Sequence, residues 1–127
     1  MIDRVFVFLG ALNMFLAVGA GAFGAHGLRR ILTPEMLQVW QTAVTYHIAH
    51  ALGLLAIAAL SPRYASGLWT TAGWLMFAGI VLFSGSLYLL SGTGIRWLGA
   101  ITPLGGTAFL AGWALVAWAA VRAMPPG

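Results

Sequence analysis

The chain has 127 residues, of which 61% are hydrophobic and only 6% charged, with a formal net charge of +4. Soluble domains carry about 25% charged residues, so this composition excludes a monomeric soluble globule and a disordered chain. The absence of cysteine excludes a disulfide scaffold, and what remains is a protein dissolved in lipid.

The positive charge comes from Arg4, Arg29, Arg30, Arg63, Arg96 and Arg122, set against Asp3 and Glu35. Each arginine stands where a long apolar run begins or ends, which is the distribution of snorkelling anchors. Phosphate binding requires a clustered basic patch; these arginines form none, and no nucleic-acid partner is expected.

Taken in chain order, residues 5–25 are free of charge and reach roughly 31 Å as a helix, enough to cross a hydrocarbon core. The small residues Ala20-Gly21-Ala22 resemble a signal-peptide cleavage site, but Asp3 makes the preceding segment poorly basic, so the run reads as a retained first helix. Thr33-Pro34-Glu35 is a helix start, with a capping hydroxyl, a proline at the first position and an acid in the first turn. The helix it opens is amphipathic over 34–40, where it projects from the membrane or lies at its surface, and spans over 41–60. Ser61-Pro62-Arg63-Tyr64 breaks the chain, and 68–90 forms a third span. Ser91-Gly92-Thr93-Gly94 is a turn, and Ile95-Arg96-Trp97-Leu98 reads as an interfacial piece. Thr102-Pro103 repeats the cap-plus-proline start of a last span over 103–121, before a tail, Met124-Pro125-Pro126-Gly127, with no means of packing.

The fold class expected is therefore all-α: one transmembrane domain, an antiparallel four-helix bundle with short loops. Glycines let helix backbones approach closely in lipid, and Gly21, Gly24, Gly105, Gly106 and Gly112 are assigned to packing. Three arginines fall on each side of the membrane, so the positive-inside rule fixes no orientation.

The polar minority is one-sided. His26 ends the first span; Tyr46, His47 and His50 lie in the second; Ser84, Ser86 and Tyr88 close the third; Arg96 and Thr102 precede the fourth. All are assigned to the half of the bundle nearest the first and third loops, with Asn13, near mid-membrane, as the main exception. Ionisable groups within membranes usually face a bundle interior or a wet cavity, so a shared polar pocket is expected. Several uses compete for it. The histidines and hydroxyls can hydrogen-bond between helices as structural ties. They can receive a lipid headgroup or a quinone-like ligand, with Arg29, Arg30 and Arg96 at the mouth. His26, His47 and His50 could ligate a metal or haem, although an i,i+3 pair without thiolate or nearby carboxylate is a weak ligand set. A small proton-linked transporter or channel would use histidine titration, but such proteins need a membrane-buried acid, and Asp3 and Glu35 both stand at helix starts. Catalysis is not expected: no nucleophile elbow, no acid placed to orient a histidine beside a serine, and no phosphate-cradling loop is present.

Four motifs stand in order along the chain. They are Gly21-Ala22-Phe23-Gly24-Ala25-His26-Gly27-Leu28, Tyr46-His47-Ile48-Ala49-His50-Ala51-Leu52, Phe83-Ser84-Gly85-Ser86-Leu87-Tyr88, and Thr102-Pro103-Leu104-Gly105-Gly106 leading to Gly112-Trp113. Together they resemble the YgdD-like family of small bacterial inner-membrane proteins, which has eukaryotic relatives. The resemblance implies a four-helix, multi-pass inner-membrane protein from a domain of unknown function, with no assigned reaction. The function expected is non-enzymatic, without a cofactor: packing, partner docking or ligand binding at the polar pocket. The partners expected are the bilayer and either further copies of the chain or a larger membrane complex.

Overall fold

The computed structural model describes residues 2–63 and 67–123. Four helices are long and apolar enough to cross a membrane. The first is Ile2–His26, the second Pro34–Leu60, the third Gly67–Thr93 and the fourth Thr102–Ala123. Short 3-10 turns at Leu28–Arg30, Ser61–Arg63 and Arg96–Ala100 fill the connections. Tyr64 and the tail from Met124 lie outside the described residues.

The first helix packs on the second, the second on the third and the third on the fourth. The first and fourth spans are each 22% buried, against 44% and 39% for the second and third. The second and third helices are therefore the inner pair, and the outer two present broad apolar faces suited to lipid. The apolar core, including Phe6, Leu54, Ile57, Trp69, Met76 and Ala119, fills mainly the half near the second loop. That is the half expected to be nearly pure hydrocarbon.

Local chemistry explains the ends. Thr33 Oγ1 accepts from the Met36 N–H at 3.2 Å, Pro34 opens the helix and Glu35 sits in its first turn, as the N-cap rule requires. The third helix stops at Gly94, whose φ of +73° puts it in the left-handed region that glycine enters without a Cβ clash. Thr102 corrects an expectation. It is the first residue of the fourth helix, not its cap, because the preceding 3-10 turn brings the chain in already wound. The Leu104 N–H donates to the Ile101 carbonyl at 3.0 Å, so the Thr102 hydroxyl is released for a tertiary contact. The amphipathic start of the second helix is also partly engaged: the Trp40 indole N–H donates to the Ala20 carbonyl of the first helix at 2.8 Å.

Two features of the third helix are absent from the sequence reading. Residues Ile80–Ser84 form a π turn, which widens the helix locally and changes the faces that follow it. The contact with the fourth helix is reciprocal. A Cβ on Gly79 would fall 2.3 Å from the Phe109 ring, and one on Gly105 would fall 2.3 Å from the backbone nitrogen of Phe83. Each helix thus carries a glycine and, four residues on, a phenylalanine (Gly79 and Phe83; Gly105 and Phe109). Run antiparallel, the Phe109 ring fills the hollow at Gly79, and the Phe83 backbone lies in the hollow at Gly105. Of the expected packing glycines, Gly24 receives Trp40, Gly21 faces Val44 and Gly112 faces Met76, while Gly106 makes only an ordinary contact with the Phe83 ring at 3.8 Å.

Candidate functional site

His47 and His50 anchor two separate buried polar centres on neighbouring faces of the second helix. Residues three apart on a helix lie about 60° from one another around its axis. That small angle suffices to send His47 toward the first and third helices and His50 toward the fourth.

His47 is buried between Asn13 and Tyr88. The Asn13 side-chain N–H donates to the Leu9 carbonyl at 2.8 Å. This fixes the amide orientation, so Asn13 Oδ1, an acceptor only, faces His47 Nε2 at 2.9 Å. Nε2 must therefore carry the proton. The neutral ring has one donor and one acceptor, so Nδ1 accepts from the Tyr88 hydroxyl, also at 2.9 Å. One chain of donors, Tyr88 to His47 to Asn13 to Leu9, crosses three helices. Trp40 packs on Tyr88 with ring centroids 4.6 Å apart. Asn13 is the twelfth residue of the 25-residue first helix and His47 the fourteenth of the 27-residue second. This centre therefore lies at mid-height of the bundle, and Asn13, read from the sequence as an exception to the polar cluster, is a member of it.

His50 has the opposite tautomer. Its Nδ1 faces the Tyr46 carbonyl at 2.8 Å, and its Nε2 accepts from the Trp113 indole N–H at 3.0 Å. A carbonyl can only accept and an indole N–H can only donate, so the proton is on Nδ1. The imidazole stacks on Phe109 with centroids 3.4 Å apart and planes at 10°, which ties the second helix to the fourth.

Hydroxyls supply the remaining ties. Ser84, fully buried, donates to the Ala43 carbonyl of the second helix at 2.8 Å. Ser86 donates to the Phe83 carbonyl at 2.9 Å; its single proton being spent, Thr102 is the donor in their 2.7 Å contact. This links the third helix to the fourth. The structure thus brings Tyr88 to His47, Tyr46 to His50, and Ser86 to Thr102. It leaves His26 apart, exposed at the end of the first helix. Arg96 is exposed too, 4.0 Å from Glu35, a contact that places the first and third loops at one end of the bundle. Among the described residues, no group of three or more His, Cys, Asp or Glu is placed to hold a metal ion.

Beside His50 a groove of about 520 Å³ opens between the second and fourth helices. It is lined by Pro103, Gly106, Thr107, Leu110 and Trp113 of the fourth helix, by Tyr46 of the second and by Phe83 of the third. Phe83, Phe109 and Trp113 were not among the expected site residues. The available signal was chemical: an indole N–H in a helix core needs an acceptor, and one lone amide in an uncharged span, Asn13, needs an internal partner.

Residues 20–106 match a protein family described as "Protein of unknown function (DUF423)". The chain is 60% identical over 120 residues to the UPF0382 membrane protein YwdK of Bacillus subtilis, covering 94% of this chain and 98% of that relative. It is 54% identical over 114 residues to a UPF0382 membrane protein of Staphylococcus saprophyticus, covering 89% and 93%. A UPF0382 membrane protein of Staphylococcus epidermidis is 50% identical over 120 residues, covering 94% and 97%. No solved structure matches the chain.

Proposed function

The chain belongs to this DUF423 family, whose relatives are membrane proteins, and from that premise we propose that it is a non-enzymatic binding module of the bacterial inner membrane. Its working surface is the groove between the second and fourth helices, and its interior polar residues hold that groove in shape. One observation carries this reading. All four ring nitrogens of His47 and His50 have partners within the protein, so the polar clusters are occupied as ties, whereas the groove beside them is open. Among the described residues, the Glu35 carboxylate stands at the start of the second helix beside Arg96 rather than beside a histidine, so it forms no acid–base pair with one. Concave, largely apolar sites with a few polar groups between helices are where small ligands bind.

The groove can be closed at Gly106, which lines it and has only the Phe83 ring near its missing Cβ. Protein extracted gently from its native membrane is expected to carry a lipid-soluble small molecule, detected by native mass spectrometry. Gly106→Trp is expected to retain about tenfold less of it, equivalent to ~1.4 kcal/mol, while melting as the parent does. Equal retention by a normally folded Gly106→Trp protein would overturn the groove reading.

A further inference from the structure

This inference rests on the groove reading and names the groove's ligand. Tyr46 lines the groove and is 43% exposed, and among the described residues its hydroxyl has no hydrogen-bond partner. The contrast with Tyr88, whose hydroxyl is spent on His47, is chemical: a phenol O–H facing hydrocarbon has no water to satisfy it.

Depth decides what can satisfy it. Tyr46 is the thirteenth of the 27 residues of its helix, one before His47, where the midpoints of the first and second helices meet. A hydrocarbon core is about 30 Å thick, so phospholipid ester carbonyls stand about 15 Å from its centre. A tyrosine side chain leaning toward its helix N-terminus covers less than half of that distance. The carbon-lined groove around the hydroxyl calls for an acceptor carried within the hydrocarbon, and the ester carbonyl at the membrane boundary is the competing acceptor that the test must separate. The surroundings are flat and aromatic: Phe83 lies 4.6 Å from the Tyr46 ring, and Phe109 lies 6.3 Å away and within 13° of parallel. We propose that the groove takes a planar, lipid-soluble carbonyl compound of the quinone class, with the Tyr46 hydroxyl donating to a carbonyl oxygen and the apolar body lying along Gly106 and Leu110.

The test is equilibrium binding of decylubiquinone to the protein in phospholipid nanodiscs. Tyr46→Phe keeps the ring and removes the donor, and is expected to weaken binding about fivefold, the loss of one neutral hydrogen bond. A second comparison needs no variant: decylbenzene, which has the apolar body without carbonyls, is expected to bind the parent at least as weakly as the quinone binds Tyr46→Phe. Nanodiscs of diether lipid, which lacks ester carbonyls, are expected to give the same quinone affinity as diester ones. Equal quinone binding by the parent and Tyr46→Phe, or equal binding of decylbenzene and the quinone, would overturn the proposal. So would a Tyr46-dependent infrared shift of the lipid ester carbonyl with no competition by the quinone, which would assign the hydroxyl to phospholipid. In these cases Gly106→Trp still losing its co-purified molecule leaves the groove reading standing, so the two failures are distinguishable.

Discussion

Gly105→Val is expected to separate the third and fourth helices and cost about 3 kcal/mol or more, read from unfolding in mixed micelles. A Cβ at residue 105 would lie 2.3 Å from the Phe83 nitrogen and 2.7 Å from its Cα. Overpacking typically costs 1–3 kcal/mol when side chains can yield, but here the obstacle is backbone, held in place by the reciprocal seating of Phe109 against Gly79. The neighbouring Gly106→Ala is the control. Its Cβ would meet the Phe83 ring at an ordinary 3.8 Å, and its stability is expected to stay within about 1 kcal/mol of the parent. Equal effects at the two positions would show that the helices are not in this register.

His47→Leu is the second large expectation, at about 2–3 kcal/mol. A single interhelical hydrogen bond in a membrane averages only about 0.6 kcal/mol. This substitution does more, because it strands the Asn13 carbonyl oxygen and the Tyr88 hydroxyl together in the interior, and each orphaned group costs about 1 kcal/mol or more. The same logic sets the sign of the coupling. Once His47 is leucine, Asn13→Leu removes a group already without a partner, so the double variant should lose less than the sum of the singles by about 0.5 kcal/mol or more. Strict additivity in an unfolding cycle would mean that the two side chains do not interact.

Much of the architecture was legible because lipid imposes a simple requirement. A span must be long, apolar and internally hydrogen-bonded, and runs such as 5–25 can meet it only as helices. The Thr33-Pro34-Glu35 start was equally local, since cap, proline and acid act within one turn. The polar partners were less legible, because they depend on register between helices. Tyr46, His47 and His50 could be placed on one helix from spacing, yet nothing in the spacing says that His47 meets Asn13 and Tyr88 while His50 meets Trp113. The π turn at Ile80–Ser84 compounds this, since it changes the faces of the third helix beyond it and no residue type marks it. The pairing of Gly79 with Phe109 and of Gly105 with Phe83 was hidden for the same reason. Each motif is unremarkable alone and acquires meaning only when the helices lie antiparallel in that register. His26 shows the converse: a motif position beside a span end, polar in type, whose side chain the fold leaves at the surface.

The buried histidines act as neutral ties, each ring with one donor and one acceptor. The most direct test is the ¹⁵N spectrum of histidine-labelled protein in lipid bilayers, assigned with His26 and His50 variants. His47 is expected to be protonated at Nε2 and His50 at Nδ1, each as a single neutral tautomer. A shared tautomer, exchange between tautomers, or a doubly protonated ring at either position would contradict it.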